Sequence, residues 1–440
     1  MRHLGGVLVL LYLLVPAPAG AQEARPNVLV IATDDQRASG TFGVMPDLRS
    51  WLIGGGTRYT AAYSSTPLCC PSRATLFSGR YAHNHHVRTN EDALELDQSA
   101  TVQRYLREAG YRTAIFGKFM NSWPLADPPP HFDAWATFSR NGAYVDRTWN
   151  VGGELRTIAT YSTRYVSDRA VGFIRAREAT DDQPWLLFLT PQAPHLPATA
   201  ERAYRDAPVP TWQRTPAMRE KDRSDKPPYV QARTISVDSV RAIRLAQLRS
   251  LMSVDDMVGR VMRVLEALGE ANTLVLYLSD NGFHWGEHSL SDKRTPYTAS
   301  IAVPLLARWP GHLTAGVLDR RLASLVDIAP TILEAAGVSA GHVMDGRSLL
   351  QPSKRTELLT EHWQGPIPSW ASIRTRSSQY VEYYGDDGVT PVFREYYDLE
   401  EDPWQLVNLL GDGNRANDPD LTATKGHLTA AKNCAGPGCP

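Results

Sequence analysis

The run Asn27-Val-Leu-Val-Ile-Ala32, followed by Thr33-Asp34-Asp35, indicates the fold class of this chain. A continuous apolar and β-branched run is typical of a strand that is buried on both faces of a parallel sheet. Two later runs, Trp185 to Leu189 and Thr273 to Leu278, have the same character, and all three end abruptly in polar residues. The pattern therefore predicts a sheet whose strands bring polar side chains to one edge.

Helical segments separate these strands. The segment from Thr101 to Ala109 ends at Gly110, and the segment from Arg241 to Leu268 carries apolar residues at helical spacing before Gly269 ends it. Within the second segment, Asp255-Asp256 is interpreted as part of a solvated helix face. Alternating strands and helices predict an α/β fold with a large, mostly parallel sheet sandwiched by helices.

The composition changes along the chain and predicts its domains. Residues 25–348 are expected to form the main domain. Residues 349–412 contain short β-prone runs joined by Gly and Asp turns, which predict a small C-terminal antiparallel α+β subdomain. Residues 413–440 are expected to be a flexible tail. The proline-rich, charged segment 207–229 is interpreted as a long surface loop and a candidate substrate-covering element.

The composition also excludes several classes of protein. The 440 residues include 46 Lys+Arg and 47 Asp+Glu, so the chain lacks the basic field of a non-specific nucleic-acid binder, and we expect no nucleic-acid partner. Any anionic ligand must be held by a local site. Four cysteines are too few for a disulfide framework. Cys434 and Cys439 either form a disulfide or lie in a frayed tail.

Residues 1–21 have the pattern of a secretory signal peptide. A basic start precedes an apolar run from Leu4 to Val15, and Ala19 and Ala21 are placed as a cleavage site. An uncleaved anchor is the alternative interpretation. No later segment has eighteen uninterrupted apolar residues, so we expect an exported, extracytoplasmic protein without a stable membrane anchor.

Acidic residues follow two of the predicted buried strands. Asp34 and Asp35 follow the first strand, and Asp280-Asn281-Gly282 follows the third. Taken alone, an acidic pair at a strand end is equally compatible with a turn and a helix cap. Together, the two segments predict a cation site with oxygen ligands, which suit Ca²⁺ or Mg²⁺ better than Zn²⁺. Gly282 is expected to permit the sharp turn there.

The segment Cys69-Cys70-Pro71-Ser72-Arg73 is the most informative in the chain. Pro71 suits the first turn of a helix, so the cysteines lie at an N-terminus where backbone N–H groups face an anion, and Arg73 adds a cation. A vicinal disulfide is geometrically unfavourable. The alternative is a buried cysteine pair beside a surface arginine. The neighbouring cation site favours a reactive cysteine.

This segment matches the C-x-P-S-R motif of the sulfatase family, and the chain resembles that family from about Arg25 to Leu409. The resemblance also rests on Ser78-Gly79-Arg80, the opening strand with Asp34-Asp35, Gly117-Lys118, Ala193-Pro194-His195, Ser279-Asp280-Asn281-Gly282 with Lys293, Tyr397-Asp398-Leu399, Asp402-Pro403 and Asn408-Leu409. It implies an alkaline-phosphatase-like fold. It further implies that a formylglycine-generating enzyme oxidises Cys69 to formylglycine (3-oxoalanine), with Cys70 at the variable position.

The resemblance also implies the roles of the site residues. Ca²⁺, with Mg²⁺ as the alternative, would be bound by Asp34, Asp35, Asp280, Asn281 and the modified Cys69. The implied catalytic residues are Cys69, Arg73, Lys118, His195 and Lys293. A formylglycine hydroxyl would attack the sulfur of a sulfate ester, and the cationic side chains would neutralise the growing charge. His195 or Lys293 would act as general acid.

Within the family, the sequence is most similar to N-acetylglucosamine-6-sulfatases and heparan-type glycan sulfatases, on the Cys69 motif, His83-Asn84-His85-His86 and Gly282-Phe283-His284. One departure is Met120, where many arylsulfatases have a histidine. His86, Asn121 and His284 are therefore predicted substrate contacts, and His86 or His284 is the substitute for that histidine. For His83, His85 and His86, a purely structural role is the alternative.

Two other functions remain open at this point. A phosphonate or phosphodiester hydrolase of the same superfamily would use a similar nucleophile and similar anion contacts. A binding protein for sulfated glycans could keep the fold without catalysis. Intact Cys69, Arg73, Lys118 and His195 argue against the binding protein, because binding alone needs no modifiable cysteine.

Overall fold

The computed structural model describes residues 24–140, 142–180, 182–363 and 365–440. The predicted signal peptide, residues 1–21, lies outside the described residues. The main sheet has ten strands in the order β10-β2-β9-β8-β1-β7-β3-β4-β5-β6, and a second sheet has the order β11-β12-β13-β14. The strands of the main sheet are β1 Asn27–Thr33, β2 Thr57–Tyr63, β3 Arg112–Lys118, β4 Ala134–Phe138, β5 Arg147–Val151, β6 Glu154–Ile158, β7 Trp185–Thr190, β8 Thr273–Ser279, β9 Leu305–Arg308 and β10 Val317–Ser324.

The α-helices of the described residues and the strands of the small sheet complete the fold. The helices are α1 Pro46–Leu48, α2 Cys69–Ser78, α3 Ala82–His85, α4 Val102–Glu108, α5 Ser162–Glu178, α6 Pro228–Gln231, α7 Val237–Leu268, α8 Thr298–Ile301, α9 Ile328–Ala336 and α10 Thr422–Lys432. The small sheet contains β11 Leu358–His362, β12 Trp370–Arg374, β13 Ser378–Tyr384 and β14 Pro391–Asp398.

The centre of the main sheet is parallel, as predicted. Strands β8, β1, β7, β3 and β4 pair in parallel, whereas β9, β5 and β6 pair antiparallel with their neighbours. Alternate residues of β1 enter two different cores: Val28 and Val30 face one, and Leu29 and Ile31 the other. This explains the continuous apolar run, because neither face of β1 meets solvent. Helices α2, α4 and α9 cover the first face, and α5 and α7 cover the second.

Two glycines allow close backbone packing beside the site. A Cβ on Gly117, whose φ is +122°, would lie 2.1 Å from the carbonyl oxygen of Thr190 on the neighbouring strand. A Cβ on Gly282 would lie 2.3 Å from the carbonyl oxygen of Ala299. The need for glycine at position 282 is therefore close approach rather than the sharp turn that the sequence suggested.

The structure corrects three expectations outside the site. Residues 413–440 are not a flexible tail, because α10 buries Leu428 and Ala431 and Cys434 forms a disulfide with Cys439. Asp255 is not on a solvated face, since its carboxylate is buried and accepts hydrogen bonds from the backbone of α1. Helix α7 also begins four residues earlier than predicted, where Ser236 caps it. The segment 207–229 is mostly irregular, as expected.

Candidate functional site

The candidate site lies where the parallel strands end. Strand β1 lies between β7 and β8, so Asp34 and Asp35 after β1 meet the loops after both neighbours. The loop after β7 contains His195, and the loop after β8 contains Asp280 and Asn281. Lys118 is the last residue of β3, which pairs with β7. The strand order therefore explains why residues far apart in sequence converge.

Asp34 is surrounded by positive charge. Its Oδ2 accepts hydrogen bonds from Lys118 Nζ at 2.6 Å and from Arg73 Nη2 at 3.4 Å. Burial would raise the pKa of this carboxyl, but the charges of Lys118, His195, Arg73 and Lys293 outweigh burial and hold the pKa well below its usual range. Asp34 is therefore a permanent anion at the centre of the site.

Asp35 contacts Asn281 in the loop after β8 and two predicted catalytic residues, Lys293 and His195. Its Oδ1 accepts hydrogen bonds from Asn281 Nδ2 at 2.7 Å and from Lys293 Nζ. Its Oδ2 lies 3.6 Å from Nε2 of His195. Burial lowers the pKa of Lys293, but Asp35, Cys69 and the other carboxylates raise it well above its usual value. The ammonium group therefore stays charged although it is buried.

Arg73 fixes the start of α2 against the ends of β3 and β8. Its Nε donates to Asp280 Oδ2 at 3.0 Å, and its Nη1 donates to the carbonyl oxygen of Lys118 at 2.8 Å. The hydroxyl of Ser72 donates to the backbone oxygen of Asp280. Arg73 is 1% exposed, so the alternative of an ordinary surface arginine is wrong. A planar group with several donors suits this position better than a lysine would.

The two adjacent cysteines have different surroundings. Helix α2 begins at Cys69, with Pro71 in its first turn as predicted. The thiol of Cys69 donates to Asp34 Oδ1 at 3.3 Å, and Lys293 Nζ donates to its sulfur at 2.9 Å. Cys70 instead packs into the apolar core on the first face of the sheet. Only Cys69 therefore contacts the charged residues.

Neither cysteine is activated as a thiolate. Burial, reinforced by the charge of Asp34, raises the pKa of the Cys69 thiol to about 12, although Lys118 and Lys293 oppose the shift. Burial also raises the pKa of Cys70 to about 12. The helix N-terminus and the lysines thus do not give an ionised thiol at neutral pH. An unmodified Cys69 would be a poor nucleophile in this environment.

The side chains present fit a divalent cation with oxygen ligands. Ligand atoms of Asp34, Asp35, Cys69 and His195 all lie within 4.8 Å of one another. The buried Oδ1 of Asn281 has no hydrogen-bond partner among the described residues. An unsatisfied buried acceptor beside two carboxylates is what a missing cation would leave. Asp280 lies at the same place, because its Oδ1 accepts from the backbone N–H of Asp35 at 3.2 Å.

The predicted substrate contacts His86, Asn121 and His284 do not converge as the charged residues of the site do. His284 is fully buried, its Nε2 lies 2.8 Å from Thr295 Oγ1, and burial lowers its pKa to about 3. The charged residues of the site are equally buried, so burial does not exclude a substrate contact, and the role of His284 remains a prediction. His86 is exposed and Asn121 is half-buried, and their predicted roles remain predictions.

The two histidines before His86 make contacts inside the fold. Nδ1 of His83 lies 3.0 Å from Glu361, and its ring stacks on Tyr81. His85 is buried beside Thr75, and burial lowers its pKa to about 3. These contacts favour the structural alternative for His85, whereas His83 also lines a groove beside the small sheet, and its role remains a prediction.

Sequence reasoning missed Arg147 and Tyr144 at this edge of the sheet. The guanidinium of Arg147 lies 3.7 Å above the ring of Phe138 and donates to Gln192. Burial lowers the pKa of Arg147 to about 10, while the charges of Tyr144 and Asp34 oppose that shift. Tyr144 donates to the carbonyl oxygen of His195 at 2.6 Å. No motif marks either residue, and only the pairing of β4 with β5 brings Arg147 here.

Solved structures establish the class of fold. A protein in complex with its substrate D-glucosamine-2-N,6-O-disulfate superposes with a TM-score of 0.81 at 22% identity, over 92% of this chain and 96% of that chain. A phosphonate monoester hydrolase from Silicibacter pomeroyi superposes with a TM-score of 0.74 at 24% identity, over 93% and 96%. The fold is that of the alkaline-phosphatase-like enzymes.

Sequence relatives narrow the class further. A family model described as Sulfatase matches residues 26–338, and one described as N-sulphoglucosamine sulphohydrolase, C-terminal, matches residues 286–423. Human N-acetylglucosamine-6-sulfatase is 30% identical over 490 residues, covering 94% of this chain and 86% of that protein. The extracellular sulfatase SULF-1 homolog of Drosophila melanogaster is 33% identical, covering 82% of this chain but 34% of its own length. The chain belongs to the sulfatase family.

Proposed function

We propose that this protein hydrolyses sulfate esters on a sulfated sugar or glycan, with a formylglycine formed from Cys69 and a divalent cation, Ca²⁺ or Mg²⁺. The observation that carries the proposal is the position of Cys69, which contacts both Asp34 and Lys293 at the start of α2. The raised pKa of its thiol argues against direct attack by a thiolate, so a modified side chain fits this environment better.

The chain supplies the environment for this reaction. Asp34, Asp35, Asp280 and Asn281 would hold the cation. When present, the cation and the aldehyde derived from Cys69 supply electrophilic charge and a hydrated nucleophile. Arg73 would orient the residue at position 69 through its bonds to both strand ends.

The buried cations would stabilise the transition state. Lys118 pairs with Asp34 and Lys293 pairs with Asp35, and both lysines would neutralise charge on the sulfuryl oxygens. His195 is the better candidate for the general acid. Its side chain is 24% exposed, whereas Lys293 is 5% exposed and its ammonium group is paired with Asp35. A hydrogen bond between His195 Nδ1 and the carbonyl oxygen of Leu196, at 2.6 Å, would leave Nε2 directed at the site.

A groove of about 350 Å³ supports a saccharide substrate. It lies between the segment that follows α2 and the small sheet, and its lining includes Arg88, Trp363 and Lys432. Trp370, also in the lining, donates to the carbonyl oxygen of Arg294, the neighbour of Lys293. Cations and aromatic faces suit an anionic sugar, and the acidic residues Glu361 and Asp387 in the same lining can accept hydrogen bonds from sugar hydroxyls. The similarity to N-acetylglucosamine-6-sulfatases supports the same class of substrate.

The test is a panel of sulfated monosaccharides, heparan oligosaccharides and aryl sulfates. The protein is co-expressed with a formylglycine-generating enzyme and assayed with Ca²⁺ or Mg²⁺. We expect turnover of at least one sulfated sugar, and mass spectrometry should find the aldehyde at position 69. Active protein that carries only unmodified thiol at position 69 would refute the mechanism.

A matched pair of variants separates the two cysteines. Cys69→Ala should lower kcat/KM by at least about 1000-fold, because it removes the nucleophile. Cys70→Ala removes the same chemical group from the adjacent core position and should keep activity within about threefold of the parent. Equal losses in the two variants would contradict the assignment of Cys69.

A phosphonate monoester hydrolase is the second candidate function, because such an enzyme shares this fold. It predicts faster turnover of aryl phosphonates than of aryl sulfates by the same preparation. A non-catalytic glycan-binding protein predicts binding without turnover of either ester after verified maturation. The same panel therefore separates all three functions.

We also propose that the protein acts outside the cytoplasm. The signal pattern of residues 1–21 and a relative named as an extracellular sulfatase support this location. Within the described residues, no helix has the length and apolar character needed to cross a membrane.

A further inference from the structure

A second groove, of about 590 Å³, lies apart from the site described above. Its lining comes from the loop after β1, from β2, from the segment 207–229, from α7, from the loop after β8 and from Trp404. None of the predicted catalytic, metal-binding or substrate-contact residues is in this lining. The groove is therefore a separate feature of the surface, and the segment 207–229 forms part of its wall.

Aromatic side chains form much of this wall. Trp212, Trp285, Trp404 and Phe42 all line the groove. Trp404 is 42% exposed, which is unusual for so large an apolar side chain. The indole N–H of Trp212 is buried and has no hydrogen-bond partner among the described residues. Trp404 thus offers an exposed face for stacking, whereas the guanidinium groups of Arg58 and Arg37 already lie over the rings of Phe42 and Trp285, at 4.9 and 4.6 Å.

The charge of the lining is entirely positive. The sixteen described lining residues include Arg37, Arg58 and Arg244 but no aspartate or glutamate. Glu287, outside the lining, pairs with Arg37 at 2.7 Å. No described residue accepts a hydrogen bond from the Arg58 guanidinium, and Arg244 donates only to a carbonyl oxygen, that of Pro210, at 2.7 Å.

Among the described residues, Arg58 and Arg244 have no carboxylate partner, and their surroundings disfavour the charged form of each side chain. Burial lowers the pKa of both Arg58 and Arg244, and the like charge of Arg37 adds to the effect at Arg244. An anion bound to either guanidinium group would relieve this cost by accepting a charge-assisted hydrogen bond.

We infer that this groove binds an anionic saccharide unit of a sulfated glycan, at a distance from the ester being cleaved. An exposed tryptophan face, in a groove with arginines that lack a carboxylate partner in the described part of the chain, suits a sugar ring that carries sulfate or carboxylate groups. The choice of a glycan rests on the proposed function, whereas the anion site rests on the groove alone. A remote contact of this kind would strengthen the binding of long chains without changing the chemistry.

Binding is measured on the full chain with a heparin octasaccharide and with D-glucosamine-2-N,6-O-disulfate. Arg58→Ala and Arg244→Ala should each raise the Kd for the octasaccharide about tenfold, since each removes a charge-assisted contact. Trp404→Ala should raise it by about threefold without a change of charge. All three variants should keep kcat/KM for the monosaccharide within about twofold.

Arg241→Ala is the matched control. This arginine lies one turn before Arg244 on α7, is exposed and pairs with Asp238 outside the groove. The Arg241→Ala protein should bind the octasaccharide with the Kd of the parent. Unchanged binding in the groove variants, or an equal loss in Arg241→Ala, would overturn the proposal.

A polyglutamate peptide distinguishes a saccharide site from a site for any polyanion. If the peptide binds as tightly as the octasaccharide and loses affinity in the same variants, the assignment to a saccharide is wrong. The same measurements also test the groove independently of the proposed function. If the protein hydrolyses no sulfate ester but binds the octasaccharide through Arg58 and Arg244, the proposed function fails and the groove stands.

Discussion

At the scale of single residues, two identical side chains in adjacent positions have different surroundings. The thiol of Cys69 touches Asp34 and the ammonium of Lys293, whereas Cys70 is part of an apolar core. The first turn of α2 produces this difference, because successive residues of a helix point in directions about 100° apart. The chemistry at position 69 therefore depends on groups from the loop after β1 and from the loop after β8.

Lys293→Met tests this dependence. The change removes the cation that contacts both Cys69 and Asp35 while keeping most of the side-chain volume. We expect kcat for a sulfate ester to fall about 100-fold, because charge on the sulfuryl oxygens loses a buried partner. Lys425→Met, at an exposed position of α10, is the control and should match the parent. A Lys293→Met enzyme within twofold of the parent would exclude a catalytic role for this lysine.

At the scale of elements, the long helix α7 contacts the short helix α1 through the buried carboxylate of Asp255. Asp255 accepts hydrogen bonds from the backbone N–H groups of Leu48, at 2.8 Å, and Asp47, at 3.1 Å. These donors lie in the first turn of α1, where no helical partner exists for them. Burial raises the pKa of Asp255 to about 6, although both hydrogen bonds oppose this shift.

Asp255→Asn should remove a pH dependence of stability. Because the folded-state pKa exceeds the unfolded value, the folded protein holds an extra proton between about pH 4 and pH 6. The parent should therefore lose about 1–2 kcal/mol of stability relative to the variant as the pH rises through that window. Denaturant unfolding at pH 4.5 and pH 7.5 measures the difference. If the difference in the free energy of unfolding between parent and variant is the same at both pH values, the raised pKa is contradicted.

At the scale of the whole molecule, the C-terminal residues contact the segment that follows α2. Tyr81 donates to the carbonyl oxygen of Pro440 at 2.7 Å, and Asn84 donates to that of Cys434 at 2.9 Å. Arg347 donates to the carbonyl oxygen of Cys439 at 2.8 Å. The end of the chain thus supports α3 and the segment before it, although the sequence predicted a flexible tail.

Removal of residues 421–440 should destabilise the entire fold. The truncation exposes the surface that Leu428 and Ala431 cover and leaves buried donors near α3 unpaired. We expect the Tm to fall by about 5 °C or more. His427→Ala removes only an exposed ion pair with Glu357 and should leave the Tm within about 1 °C. A truncated protein with the Tm of the parent would show that these residues do not support the fold.

Local sequence patterns were enough to predict the central strands and the acidic residues that follow them, whereas the resemblance to the sulfatase family implied the roles of Cys69, Lys118, His195 and Lys293. A strand buried on both faces has a continuous apolar run, and parallel strands end at one edge of the sheet. Asp34, Asp35, Asp280 and Asn281 could therefore be placed together from the sequence alone.

The burial and the accessibility of polar residues, in contrast, were established by tertiary contacts. His284 and Asp255 both lie in segments with ordinary polar patterns, yet both are buried. The groove with Arg58 and Arg244 combines segments from six parts of the chain, and no local pattern links them. Burial and unpaired charge depend on contacts between distant segments, so they emerge only once the chain has folded.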